Sequence, residues 1–374
     1  MKKKRIYLDY NATSPLLPSV ISAMTDGLSI FGNPSSLHAD GQAAREVIEQ
    51  VRERVARLIG APSSDHIIFC SSATEANNQV IKVVGRDGHV VVSAIEHQCV
   101  LNAARAVASS GGRLTMAPVL SSGTIDCDAL MTSIQPDTRL VSVMMANNET
   151  GAIQPVDWIV KALRDSNCLI HTDAVQWVGK RPINVSELGC DFLTFSAHKL
   201  GGPKGVGVLF CKDPLQMNPL LHGGSQERGL RSGTENVLSI IGLGAVVDYV
   251  QEHMDDLNQH YMALQSAFKA SISDQVPIIY MSTETGMAHV INVRLPSIAG
   301  STVMMNLDLA GVSVSTGSAC STGSVDPSHV MLAMGLDTDQ ANESVRISFG
   351  LQTTLDDVQF VCHEFNQLYE RLKA

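Results

Sequence analysis

The chain has 374 residues, 44% of them hydrophobic and 17% charged, enough to bury the core of one large or two smaller domains. Its formal net charge of −10 disfavours non-specific attraction to nucleic acid or to anionic membranes and points to small-molecule chemistry or protein partners. The basic start "MKKKR" runs into "IYLDYNATSPLLP" with no apolar stretch between them, which reads as a solvated terminus and not as a signal segment.

The first regular element is "GQAAREVIEQVRERVARLIGA" (41–61), whose apolar residues recur at helical spacing and whose pattern stops at Gly60. Short β-type runs follow: "HIIFC" (66–70), "HVVVSA" (89–94), "LVSVMMA" (140–146), "CLIHTDA" (168–174), "DFLTFSA" (191–197) and "GVGVLFC" (205–211). Helical segments such as "VLNAARAVASSG" and "PVDWIVKALRDS" separate them, and that alternation predicts an α/β fold with a mainly parallel sheet covered by helices on both faces. The apolar "VLSIIGLGAVVDYV" (237–250) is too short and interrupted for a membrane span and reads as a buried helix. After residue 256 the order changes to a long amphipathic helix (257–272), the stretches "MAHVINVRL", "TVMMNLDLAG", "VSVST" and "ESVRISFG", and a closing helix from 355. The expected division is a large domain over 14–256, and a smaller α+β domain built from 1–13 with 257–374.

Eight cysteines, at 70, 99, 127, 168, 190, 211, 320 and 362, show no metal-finger spacing, so no metal site is expected and reduced thiols in a cytoplasm are. Cys320 stands apart from the others, in "SVSTGSACSTGSVDPSHV" (313–330), where almost every neighbour is small. Such residues make few packing contacts, which predicts a poorly ordered loop.

In open α/β sheets ligands bind beyond the carboxyl ends of the strands, so the residues that follow each β run belong together. They are "SSATEANN", a turn of small residues opening a helix and suited to a phosphate, then His97 in "IEHQCV", then Asn147, Asn148 and Glu149 in "NNETG". Asp173 in "HTDAVQ" and Lys199 in "SAHKLGGPKG" complete the series. Taken singly, each is as well explained by a helix cap or a solvated loop; taken in order, the set is what a pyridoxal phosphate site requires. A lysine forms a Schiff base with the cofactor aldehyde, a carboxylate pairs with the pyridine nitrogen, and a turn holds the phosphate.

With "LDYNATSPLLP", "GNPSSLH", "EHQCVL", "NNETGAIQPV", "HGGSQERGLRSGT" and "STGSACSTG" added, nearly the whole chain resembles the NifS/IscS-like cysteine desulfurases of the class V aminotransferase superfamily, with the pyridoxal phosphate fold of type I. The resemblance implies that Lys199 is the Schiff-base lysine and the base at the substrate Cα. It further implies that Asp173 meets the ring nitrogen, that Gln176 bonds the ring O3′, and that His97 stacks on the ring and moves protons. Ala73, Thr74, Ser196 and His198 would bind the phosphate, joined by Thr234 from the partner of a homodimer. Asn148 would contact cofactor and substrate, and Arg346 would take the substrate carboxylate. Cys320 would attack the sulfur of L-cysteine, leaving a persulfide and L-alanine, and a protein acceptor would collect the sulfur. No direct contact with membrane or nucleic acid is expected.

Two features depart from the pattern: Leu351 stands where IscS-like members commonly carry an arginine, and "LYERLKA" ends without the extended tail by which many members meet their iron–sulfur scaffold. The resemblance therefore leaves iron–sulfur cluster assembly, tRNA thiolation and DNA sulfur modification open as destinations. A selenocysteine lyase or a class V aminotransferase would use the same cofactor site, and a sulfur-relay subunit without catalysis is a further alternative.

Overall fold

The protein, described here from a computed structural model over residues 5–317 and 326–373, places its strands in three sheets. In chain order the strands are β1 (Ile6–Tyr7), β2 (Ile67–Cys70), β3 (His89–Ser93), β4 (Arg113–Ala117), β5 (Thr138–Ser142) and β6 (Leu169–Asp173). They continue with β7 (Phe192–Ser196), β8 (Gly207–Cys211), β9 (Ile279–Tyr280), β10 (Val290–Arg294), β11 (Val312–Ser313) and β12 (Ser344–Ser348). The main sheet has seven strands in the order β2-β8-β7-β6-β5-β3-β4. Its pairings are parallel except those of β8, which runs antiparallel to both β2 and β7.

The apolar runs form central strands because both faces of this sheet are covered. Ile67, Phe69, Val91, Val141, Leu193, Val208 and Phe210 face one hydrophobic cluster, shared with Ile48, Val51, Val55 and Ile59 of the helix Ala39–Ile59. The alternate residues Ile68, Cys70, Val90, Val92, Leu140 and Leu209 face a second cluster under the helices Ala73–Val84 and Gln98–Ser109. Each such side chain contributes about 1.5–3 kcal/mol relative to an exposed position, which fixes the register of every strand and so the position of its carboxyl end.

Two elements of the main sheet differ from the sequence-based expectation. The edge strand β4 was not anticipated, because Arg113 and Met116 lie exposed and leave no continuous apolar run. The extended stretch expected over 140–146 ladders with β3 only as far as Ser142, then follows β6 alone through Val143 N–H to His171 O and Met145 N–H to Asp173 O. That divergence opens the space where the residues after β3 and β5 meet.

The helices expected at 237–250 and 257–272 are one continuous helix, Val237–Ser271. Its first half adds Ile240, Leu243, Val246, Val247 and Val250 to the sheet cluster, and its second half gives Leu257, Tyr261, Leu264 and Phe268 to a separate cluster. Ile6 and Leu8 join that second cluster, β1 pairs with β11, and Asp9 bridges to Ser348, so the N-terminal segment crosses to the later part of the chain.

One buried ion pair ties the segment around 227 to this framework. Arg52, 2% exposed, donates through Nη1 (2.5 Å) and Nη2 (2.9 Å) to the Glu227 carboxylate, which also accepts from Phe69 N–H at 2.8 Å. Glu227 and Arg228 hold positive φ values of 47° and 58°, a conformation costly for such residues and maintained by these bonds. Arg52→Met is expected to lower the unfolding free energy by about 3–5 kcal/mol, because it leaves a buried carboxylate unpaired. Urea unfolding at fixed cofactor concentration measures this, and a midpoint equal to the parent's would refute the role.

Candidate active site

The polar residues after β2, β3, β5, β6 and β7 converge on one cavity of about 270 Å3. Ser72, Ala73 and Thr74 form its rim, where the Ser72 hydroxyl caps the helix Ala73–Val84 by accepting from Glu75 N–H at 3.2 Å. The turn sits tightly on β8: a Cβ on Gly207 would lie 2.3 Å from the Ser72 carbonyl carbon and 2.6 Å from Ala73 N, so this approach requires glycine. The first-turn N–H groups and the positive end of the helix dipole supply an anion site at the rim.

At the inner end stands Asp173, the last residue of β6, buried and held by two donors. Asn77 Nδ2 donates to Oδ2 at 2.8 Å and Val175 N–H to Oδ1 at 2.9 Å, while Thr194 Oγ1 donates to Asn77 Oδ1 at 2.5 Å and fixes that amide in turn. Asn77 was not singled out in the sequence, where it appears only as a polar residue in a helix.

His97 lines the same cavity and caps the helix Gln98–Ser109, its Nδ1 accepting from Cys99 N–H at 3.2 Å. The Cys99 Sγ lies 3.0 Å from the same nitrogen. Burial pushes the Cys99 thiol up to about 12, so it stays protonated and donates as well. Burial lowers the pKa of His97, with Lys199, His329 and Arg346 adding to the effect against Asp173. A neutral His97 whose Nδ1 is an acceptor carries its proton on Nε2.

Lys199 follows β7, and its Nζ donates to the carbonyls of Asn11 and Ala12, both at 2.6 Å. Ser196 and His198 flank it in the cavity wall. Ser196 Oγ donates to Val206 O at 3.3 Å, and His198 Nδ1 lies 3.1 Å from Thr13 Oγ1. Burial, followed by the positive charges of Lys199, Lys204 and Lys180, lowers His198 to about 4, so it is neutral at pH 7. Gln176 also lines the cavity, its Nε2 donating to Asn11 O at 3.3 Å.

The remaining wall comes from the other sheet. Arg346 on β12 is 3% exposed, donating from Nη2 to Asp9 Oδ1 at 2.7 Å and from Nη1 to Asn148 O at 3.2 Å. Its Nε has no partner among the described residues, and the buried Asn11 Oδ1 is likewise unsatisfied. A carboxylate at Arg346 would satisfy the first of these.

Asn11 is the largest omission of the sequence reading: it receives Lys199 and Gln176 on its carbonyl and donates from Nδ2 to Asn148 O at 2.9 Å. Its signal was present in "LDYNATSPLLP", which marked the segment without marking the residue. Asn147 serves the turn instead, its Oδ1 accepting from Glu149 N–H and Thr150 N–H at 2.9 Å each, and the Glu149 carboxylate accepts from Ser328 Oγ at 2.5 Å. Thr234 is exposed and absent from this cavity, lying beside Arg231 and Glu235 near Ser71. Cys320, and with it the expectation of a poorly ordered loop, falls outside the described residues.

A carboxylate at the deep end, an amine beside it, a neutral imidazole and a helix N-terminus at the rim make a donor set that fits pyridoxal phosphate, and the unsatisfied Asn11 Oδ1 and Arg346 Nε leave polar capacity for a bound molecule. The aminotransferase class-V family model matches residues 6–361. Cysteine desulfurase IscS of Dictyoglomus turgidum is 40% identical over 380 residues, covering 100% of this chain and 96% of its own. A solved NifS-like protein superposes with a TM-score of 0.92 at 34% identity, covering 98% of this chain and 100% of that one. The solved complex of SspA with cysteine superposes with a TM-score of 0.79 at 31% identity, covering 92% and 99%. The chain therefore belongs to the pyridoxal phosphate-dependent class V aminotransferase family, and within it to the cysteine desulfurases of the IscS and NifS-like kind.

Proposed function

We propose that this protein removes sulfur from L-cysteine, releasing L-alanine and holding the sulfur as a persulfide on Cys320 for a protein acceptor. The observation that carries the reading is the meeting of Asp173, Lys199, His97, the Ser72–Thr74 turn and Arg346 in one cavity of a chain 40% identical to a cysteine desulfurase along its length. When bound, pyridoxal phosphate supplies an electron sink conjugated to the substrate Cα. Asp173, oriented by Asn77 and Val175, holds a proton at the ring nitrogen, and the first turn of the helix Ala73–Val84 with Ser196 and His198 binds the phosphate. Arg346 and Asn148 hold the substrate carboxylate, and Lys199 Nζ takes the proton from Cα and returns it. The Cys320 thiolate attacks the substrate Sγ: an S–S bond forms, the Cβ–S bond breaks, and its electron pair is captured by a proton to make the methyl group of alanine.

The same reading takes residues 14–256 as the cofactor-binding domain, with 1–13 and 257–374 as the smaller one, and places the enzyme in the cytoplasm as a homodimer. Support for the dimer comes from Thr234, exposed and outside its own cavity, and from the exposed Phe31 and Leu37. The sulfur goes to a protein of iron–sulfur cluster assembly, tRNA thiolation or DNA sulfur modification. Purified protein with L-cysteine and a thiol reductant is expected to release alanine and sulfide in equal amounts. A yellow protein that releases neither would refute the assignment, and amino-group transfer to a keto acid without sulfide would mark an aminotransferase.

A further inference from the structure

Behind Lys199 lies a second lysine that the reaction does not account for. Lys180 is 7% exposed, and among the described residues its Nζ donates to Gln176 Oε1 at 3.2 Å and pairs with no carboxylate. Burial, reinforced by the charge of Lys199, lowers it to about 7. An amine in this setting is costly, and an apolar side chain of the same length would fill the place without that cost. On the opposite side His289, 1% exposed, sets its Nε2 3.4 Å from the same Gln176 oxygen. Gln176 Nε2 donates to Asn11 O, the carbonyl that also accepts from Lys199 Nζ. Lysine has no acceptor to offer while protonated, so its position decides which end of the Gln176 amide is oxygen.

We propose that Lys180 and His289 clamp the side-chain oxygen of Gln176 and thereby present the N–H that is not bonded to Asn11 to the cofactor pocket. They are positioning residues, acting through Gln176 on the ring oxygen beside the Lys199 linkage, and the inference rests on the pyridoxal phosphate reading of this pocket. A fixed donor at that oxygen favours its anionic form and eases proton loss from the chromophore. The charged and titratable groups around the clamp are Lys199, Tyr10 and Tyr261, which line a cavity of about 20 Å3 with Lys180, and Arg181 and Arg346 beyond His289.

The test is the pH titration of the visible absorption band of purified holoenzyme. Lys180→Met is expected to raise its midpoint by about one pH unit. His289→Leu should shift it in the same direction by less, and it carries the test if Lys180→Met does not fold. Adding Gln176→Leu to His289→Leu is expected to give the midpoint of Gln176→Leu alone, because His289, kept neutral by burial, reaches the ring only through that amide. Parent-like midpoints in folded Lys180→Met and His289→Leu would overturn the proposal, as would a double variant shifted by the sum of the singles. A parent protein that binds pyridoxal phosphate without any visible band would instead refute the reading of the pocket.

Discussion

Lys199→Ala is expected to lower alanine release from L-cysteine by on the order of 10²–10⁴-fold, the scale of removing a positioned acid–base group. The amine is held by the Asn11 and Ala12 carbonyls within the cavity, and on the proposed function its loss removes both the covalent attachment of the cofactor and the group that handles the Cα proton. Lys199 also lowers the pKa values of His97 and His198, so both imidazoles become easier to protonate in the variant. The residual activity should therefore lose its acid limb at a higher pH than the parent. Added small primary amines are expected to restore part of the rate. A variant within tenfold of the parent would show that another group abstracts the proton.

The parts of this architecture that were legible in sequence are those where both faces of a strand are buried. Ile67–Cys70 and Val90–Val92 read as strands because alternate residues enter two different clusters and all must be apolar. The exposed edge strand β4 lacked that signature, and the helix Val237–Ser271 read as two because its packing changes midway from all-round burial to a single apolar stripe. The residues of the candidate site were legible as an ordered set and not singly: Ser72 and His97 each cap a helix as well, and only their succession at the ends of buried strands marks them. Asn77 was not, since only the distant Asp173 reveals what its amide does. Lys180 escaped notice because nothing in the sequence sets it apart from the adjacent Arg181; its burial and, among the described residues, its bond to the Gln176 amide do.

Cys320→Ala should separate the two halves of the reaction. The holoenzyme is expected to keep its visible band, because Asp173, Lys199 and the Ser72–Thr74 turn are untouched, while alanine production falls by on the order of 10³-fold or more, as when a covalent nucleophile is removed. In the sequence Cys320 follows Gly317, a residue of the cavity lining, by three positions. Cys99, the thiol in the described cavity wall, is not expected to replace it. Cys99 is pushed up to about 12 by burial and remains a thiol at neutral pH, and its sulfur is engaged by His97 and Asn77. Mass spectrometry of the parent after a single addition of L-cysteine is expected to find the extra sulfur on the peptide carrying Cys320. Sulfur on the Cys99 peptide, or normal alanine release from Cys320→Ala, would move the nucleophile into the cavity wall and overturn the assignment.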